Sequence, residues 1–211
     1  MSTRTEVKDG ITTDALVIFG ITGDLARKMT FRALYRLEKR GKLNCPIIGV
    51  GRRADWGHED MKTRAHESIV NSLVGTIDEE VFARLADRMR FVAGNFDNQR
   101  TYEDIGEELK EYARPLFYLE VPPVLFAPII GHLDASGLAA RGRFVIEKPF
   151  GHDLDSAKAL QAELMKHLEE DQILRIDHYL GKEPVMDITY LRFANSILEP
   201  VFNSNYVAYV Q

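Results

Sequence analysis

The chain of 211 residues is 45% hydrophobic and 28% charged, a globular composition that excludes collagen-like, fibrous and extensively disordered classes. Its length accommodates one large domain, or one domain and part of another. A formal net charge of -5, with no long basic block, fits neither a nucleic-acid-binding nor an anionic-membrane surface, so neither kind of partner is expected.

Cys45 is the only cysteine, which rules out an internal disulfide and a cysteine-based metal cage. Residues 1–14 are polar, lack the apolar core of a signal peptide and read as a flexible leader. The longest apolar stretch, residues 124–130, is interrupted by Pro128 and falls far below the ~20 residues of a membrane-spanning helix. A cytoplasmic protein without a metal site is expected.

The elements follow in alternation. Ala15-Leu16-Val17-Ile18-Phe19 is an unbroken apolar run, the form of a strand buried on both faces in a parallel sheet. Leu25, Met29, Ala33 and Leu37 then recur every four residues and predict the apolar stripe of a helix, with Gly41 at its stop. A second strand, residues 47–50, ends at Gly51-Arg52-Arg53. Helices are predicted over residues 59–74 and 78–88, a third strand over 90–93, a helix over 102–112 and a fourth strand over 116–121, closed by Pro122-Pro123. A helix over 124–138 leads to a fifth strand, 143–147, and Asp153 caps a helix reaching residue 168. Residues 173–176 form a further apolar stretch, and Pro184 opens a last helix with Met186, Tyr190, Phe193 and Ile197 on one face.

This pattern predicts an α/β fold, a doubly wound, mostly parallel, Rossmann-like sheet, whose ligands bind beyond the carboxyl ends of the strands. At the first such end, Gly20-Ile21-Thr22-Gly23-Asp24-Leu25 joins strand to helix. Gly20 permits a tight turn and Gly23 a close backbone approach, so helix amides and the positive end of the helix dipole could receive a pyrophosphate. The alternative is a plain tight turn with Asp24 capping the helix. At the second strand end, arginine rather than an acidic residue favours the extra phosphate of NADP over the free ribose of NAD, although Asp55 is near enough to pair with one arginine.

Two later strand ends carry polar groups. Lys148, held extended before Pro149, stands where it could reach both a sugar and a nicotinamide. In Asp177-His178-Tyr179-Leu180-Gly181-Lys182-Glu183-Pro184, an imidazole, a phenol and an ammonium precede a helix N-terminus, a set able to hold a monophosphate. A packed loop in which His178 and Tyr179 satisfy each other is the alternative.

These residues resemble the glucose-6-phosphate dehydrogenase family. The Gly20–Ala26 loop is similar to its Gly-Ala-Ser/Thr-Gly-Asp-Leu-Ala cofactor loop. Phe117-Tyr118-Leu119 with Pro122-Pro123, Glu147-Lys148-Pro149-Phe150-Gly151 and Arg175-Ile176-Asp177-His178-Tyr179-Leu180-Gly181-Lys182-Glu183 resemble three further blocks in the family's order. The resemblance implies oxidation of the C1 hydroxyl of glucose 6-phosphate to 6-phosphogluconolactone, with hydride passing to NADP. It implies that Gly20, Thr22, Gly23, Asp24 and Leu25 serve the pyrophosphate, Arg52 the 2'-phosphate, and Asn95 and Phe96 further cofactor contacts. Lys148 would bridge sugar and cofactor, and His178, Tyr179 and Lys182 would bind the sugar phosphate. Asp177 would orient the catalytic histidine.

The family's general base lies downstream in a larger α+β domain. None of this chain's histidines, at 58, 66, 132, 152, 167 and 178, matches that position, so an incomplete, weakly active or inactive chain is expected. The expected organisation is a cofactor domain over residues 15–176, then a sugar-phosphate loop and the start of a truncated α+β domain over 177–211. Residues 205–211 are read as an opening strand of that domain, through whose remainder the parent would form a homo-oligomer. A free-standing NADP-binding module without catalysis is the competing reading, against which the sugar-phosphate motif argues. A short-chain reductase is also considered, since Tyr35-x-x-x-Lys39 fits its pattern, but those residues fall on the first helix, where Tyr35 reads as surface.

Overall fold

The computed structural model describes residues 13–72 and 75–209, with the backbone alone at His178. Most of the predicted leader, the last two residues of the 59–74 helix and the last two of the tail lie outside the described residues. Six strands form one sheet: β1 (Ala15–Phe19), β2 (Ile47–Gly51), β3 (Met89–Ala93), β4 (Pro115–Leu119), β5 (Arg143–Glu147) and β6 (Ile173–Ile176). Their order is β3-β2-β1-β4-β5-β6, and β1 pairs in parallel with both β2 and β4. The chain therefore leaves β1 toward one side of the sheet and returns at β4 to build the other, which makes the β1/β4 boundary the topological switch point.

The helices are α1 (Phe31–Lys39), α2 (His58–Ser72), α3 (Glu79–Asp87), α4 (Gln99–Glu108), α5 (Phe126–Ala135), α6 (Leu154–Leu164) and α7 (Glu183–Phe193). Both faces of the sheet are covered, as the continuous apolar run of β1 requires. Ala15, Val17 and Phe19 pack with residues of α4 and α5, whereas Ile18, on the opposite face, packs with residues of α1, α2 and α3. Phe117 of β4 stacks on Phe144 of β5 at 5.1 Å between ring centroids. Burial of each such ring contributes about 2–3 kcal/mol.

The first helix exists, but its buried face is not the predicted one. Met29 and Leu37 are 44% and 40% exposed, while Phe31, Leu34, Tyr35 and Glu38 turn inward. A stripe of period four precesses by about 40° per step around a helix of 3.6 residues per turn, whereas an i, i+3, i+4, i+7 set holds one face. A π-helical stretch, Ala26–Thr30, also precedes α1 and shifts the phase of the earlier residues. Tyr35 is consequently not a surface residue: it is buried, and its hydroxyl accepts the Asp78 amide at 2.9 Å. Glu38, equally buried, is held by Arg88 at 2.9 Å and Arg84 at 3.5 Å.

Several local signals act as expected. Gly41 adopts φ +62° just past α1, with its amide on the Glu38 carbonyl at 2.9 Å. Asp153 caps α6 in a reciprocal box with Ser156, and Pro184 lies in the first turn of α7. The predicted 124–138 helix is shorter, because Pro123–Leu125 forms a 3-10 turn before α5 begins. Asp14, at the end of the predicted leader, accepts the Ala113 and Arg114 amides, each at 2.8 Å.

The chain divides into two compact units, Met1–Arg175 and Ile176–Gln211. Within the second, the described residues 205–209 form no strand, contrary to the reading of the tail. An apolar β-rich segment becomes a strand only beside a partner that accepts its backbone hydrogen bonds, and composition alone does not supply one. No helix among the described residues is long and apolar enough to cross a membrane.

Candidate functional site

The carboxyl ends of β1 to β5 open on one edge of the sheet and are followed by Gly20, Arg52, Gly94, Glu120 and Lys148 respectively. The β1 turn is the most constrained. Gly20 has φ +87°, and a Cβ there would lie 2.2 Å from the Glu120 carbonyl oxygen, so glycine is required both by backbone conformation and by the approach of β4. The Gly20 amide donates to the Val50 carbonyl at 2.9 Å, which fixes the turn to β2, and the Gly23 amide donates to Gly20 at 2.8 Å. Gly23 and Asp24 are exposed, Thr22 and Leu25 partly so, and the chain becomes helical at Asp24.

The first amides of a helix have no acceptor within it, and this helix starts beside the β1/β4 switch point of the sheet. The Asp24 carboxylate pairs with Arg27 at 3.2 Å on the surface. An exposed glycine backbone, free helix amides and a positive dipole end fit the pyrophosphate of a dinucleotide.

The β2 end lies against this loop, since a Cβ on Gly51 would be 2.6 Å from the Thr22 Cγ2. The two arginines that follow are not equivalent. Arg53 makes a two-point contact with Asp55, at 2.9 and 2.8 Å, and lies over the Trp56 ring at 5.3 Å. Its hydrogen bonds hold the Asp55 carboxyl down at about 2. Arg52 is exposed and makes no ion pair among the described residues.

At the β3 end, Asn95 and Phe96 are held through their carbonyls. Thr101 donates its hydroxyl to the Asn95 oxygen at 2.8 Å, and Tyr102 donates to the Phe96 oxygen at 2.6 Å. The Phe96 ring meets Phe19 edge-on at 5.7 Å, which ties this loop to β1.

The β4 end contains a feature that the sequence reading passed over. Glu120 is half-buried and accepts a hydrogen bond from the Thr30 hydroxyl at 2.5 Å; its other carboxylate oxygen is buried without a partner among the described residues. Burial above all, with the nearby charge of Glu147, pushes its pKa up to about 7 against the lowering effect of Thr30. Tyr118 donates to Glu147 on the same face, and burial pushes its phenol pKa up. An acidic residue at the end of an otherwise apolar strand was the available signal.

At the β5 end, Lys148 is exposed, and its bond to Pro149 is cis. In the second unit, the predicted loop is a 3-10 turn, His178–Gly181, whose first amides are capped by Asp177: its carboxylate accepts the Tyr179 N–H at 2.9 Å. Tyr179 and Lys182 are both exposed, with the ammonium 5.5 Å above the ring centroid, immediately before the first turn of α7.

Comparison with known proteins accords with this arrangement. The family model described as "Glucose-6-phosphate dehydrogenase, NAD binding domain" matches residues 17–187. Glucose-6-phosphate 1-dehydrogenase 1 of Mycobacterium tuberculosis is 50% identical over 199 residues, covering 94% of this chain and 42% of that protein. Glucose-6-phosphate 1-dehydrogenase of Bacillus subtilis is 38% identical, covering 93% and 41%. The crystal structure of the Mycobacterium avium glucose-6-phosphate 1-dehydrogenase superposes with a TM-score of 0.81 at 50% identity, over 92% of this chain and 43% of that one. A glucose-6-phosphate dehydrogenase in complex with its substrate glucose-6-phosphate gives 0.80 at 33% identity, over 93% and 43%. The chain thus spans about two fifths of the length of these relatives. With its β1 turn at the switch point of a parallel sheet and the family model running from β1 into α7, this chain belongs to the glucose-6-phosphate dehydrogenase family.

Proposed function

We propose that this chain provides the dinucleotide site, and part of the sugar-phosphate site, of a glucose-6-phosphate dehydrogenase that uses NADP in preference to NAD. The observation that carries the cofactor preference is the division of labour at the β2 end. Arg53 is occupied by Asp55 and Trp56, whereas Arg52, which follows the Gly51 that lies against Thr22, is exposed and makes no ion pair among the described residues. A planar guanidinium receives a phosphate dianion through two hydrogen bonds, and NAD has no such dianion on its ribose.

In this reading Gly20, Thr22, Gly23, Asp24 and Leu25 hold the pyrophosphate, Arg52 the 2'-phosphate, and Asn95 and Phe96 the adjoining part of the dinucleotide. The dinucleotide supplies, when bound, the acceptor for the hydride leaving C1 of glucose 6-phosphate. Lys148 holds a sugar oxygen against the cofactor, and His178, Tyr179 and Lys182 take the sugar phosphate. Asp177 caps the turn that carries them, and its proposed wider role is to orient a catalytic histidine.

Oxidation at C1 also requires a base for the hydroxyl proton. We assign none of this chain's histidines to that task. His58 accepts the Phe91 amide at 2.9 Å, His66 contacts Glu79 at 3.1 Å, His132 stacks on Tyr102, and His167 contacts Asp134 at 2.8 Å. The cytosol is the proposed location, consistent with the free, buried thiol of Cys45.

The test is a fluorescence titration of the purified chain, verified by mass, with NADP and NAD, followed by a turnover assay with glucose 6-phosphate. Tighter binding of NADP with little or no turnover is expected. Equal affinity for the two dinucleotides would remove the cofactor assignment, and robust turnover would remove the assignment of the base.

A further inference from the structure

Glu120 sits in an unusual position for a carboxyl group. Its amide donates to the Phe19 carbonyl at 3.0 Å, and its own carbonyl oxygen lies 2.2 Å from where a Cβ on Gly20 would be, so its backbone is packed against the start of the Gly20–Leu25 loop. Its side chain turns toward the helical segment that leaves that loop and accepts from Thr30, between one and two turns beyond Leu25. One residue therefore touches both the start of the loop and the helical segment that leaves it, and one oxygen of its carboxyl has no partner among the described residues.

The groups facing it supply little to offset a negative charge. From the first helical segment comes the neutral Thr30 hydroxyl; the nearby cations of that segment, Arg27 and Lys28, are exposed, and Arg27 already pairs with Asp24. From β4 comes Tyr118, whose proton is directed to Glu147, and from β5 comes Glu147, a second acid. β1 contributes only backbone at this point. A buried carboxylate with one unsatisfied oxygen and an acidic neighbour is disfavoured relative to its neutral form, and burial indeed raises its pKa to about 7.

We propose that Glu120 is a positioning residue whose proton is required for tight dinucleotide binding. In its neutral form it lets the Gly20–Leu25 loop receive the pyrophosphate, whereas in its ionised form it places a like charge behind that loop and opposes the dianion. This rests on the assignment of the loop as the pyrophosphate site. By linkage, the bound anion makes ionisation of Glu120 harder still, so dinucleotide binding near neutral pH takes up a proton. No covalent step is involved: the proton comes from solvent and returns to it on dissociation.

The test is titration of the purified chain with NADP and with NAD at half-unit intervals from pH 6 to pH 9, alongside Glu120→Gln. The ratio of variant to wild-type affinity cancels the ligand's own ionisation. The ratio is expected to rise about fivefold or more in favour of the glutamine variant between pH 6.5 and pH 8.5, since a single linked proton can contribute up to tenfold per pH unit. Wild-type protein should also take up a fraction of a proton on binding, read as a dependence of the calorimetric heat on buffer ionisation enthalpy, and the variant should take up less.

Thr30→Val provides a second variant that keeps the carboxyl. Removing the hydroxyl that favours the ionised form should move the wild-type pH profile to higher pH. A ratio that stays flat across the range, with Thr30→Val leaving the profile in place, would overturn the proposal while leaving the cofactor site intact. Absence of binding by every chain at every pH would overturn the cofactor reading and this inference with it.

Discussion

Tyr102 donates its hydroxyl proton to the Phe96 carbonyl oxygen at 2.6 Å, while its ring stacks on His132 at 4.9 Å between centroids and on Phe19 at 6.2 Å. One fully buried side chain thus ties the loop after β3 to β1 and to α5. Burial holds its phenol protonated well above the ordinary range, so it acts as a donor at every working pH.

Tyr102→Phe keeps both ring contacts and removes only the bond to Phe96. Loss of one hydrogen bond to a part-buried carbonyl should cost about 1–2 kcal/mol in urea unfolding. If Phe96 contacts the cofactor, dinucleotide affinity should fall several-fold as well. A loss of stability with affinity unchanged would take the β3 loop out of the proposed site.

Gly20 and Gly41 both have positive φ, yet their substitution should differ sharply. At Gly41 a Cβ would meet nothing within 4 Å, and Gly41→Ala should cost about 1 kcal/mol, the price of a left-handed alanine at a helix end. At Gly20 the same methyl would meet the Glu120 carbonyl oxygen at 2.2 Å, and the strand ends would have to separate. Gly20→Ala should therefore lower stability by more than about 2 kcal/mol and weaken dinucleotide binding at least tenfold, because conformational strain and a backbone clash add. Thermal unfolding and a fluorescence titration of the two variants read this directly.

If Arg52 holds the 2'-phosphate as proposed, Arg52→Ala should weaken NADP far more than NAD, by ten- to a hundredfold, because a bidentate guanidinium-phosphate contact would be lost for one ligand only. Arg53→Ala should weaken both ligands modestly and by the same factor, since its partners are Asp55 and Trp56. Equal losses of NADP and NAD affinity in Arg52→Ala would remove the basis for the cofactor preference.

Much of this was readable from the chain because the relevant signals are local. The unbroken apolar run of β1 required burial on both faces, Gly41 required a helix stop, and glycines after a buried strand required a tight turn at the sheet edge. What the chain concealed depended on tertiary partners. The helix after Thr30 buries Tyr35 and Glu38 because Asp78, Arg84 and Arg88 arrive from a distant segment to satisfy them. Arg52 and Arg53 are indistinguishable in one dimension until Trp56 and Asp55 claim the second. Glu120 resembled any polar residue at the end of a strand until β1 and Thr30 closed around it. The tail composition suited a strand, but pairing is not a property of one segment.

Glu120 also gives the fold a pH dependence whose sign can be worked out. In the unfolded chain its carboxyl titrates near the ordinary value of 4.5; in the folded chain burial raises this to about 7. Below the lower value both states hold the proton, and the contribution to stability is fully present. Between the two values the unfolded chain releases the proton while the folded chain keeps it, so stability declines as pH rises and the contribution is lost once pH passes the folded value. A difference of about 2.5 units corresponds to roughly 3 kcal/mol across this window. Glu120→Gln has no proton to release, and its urea midpoint should therefore gain on that of the wild type from pH 5 to pH 8, whatever its level at pH 5. Thr30→Val should steepen the wild-type decline, since the hydroxyl is the one neighbour that favours the charge. Urea midpoints that run parallel for wild type and Glu120→Gln across this range would mean that the carboxyl holds no proton the unfolded chain would release, and the pH dependence of binding would then need another source.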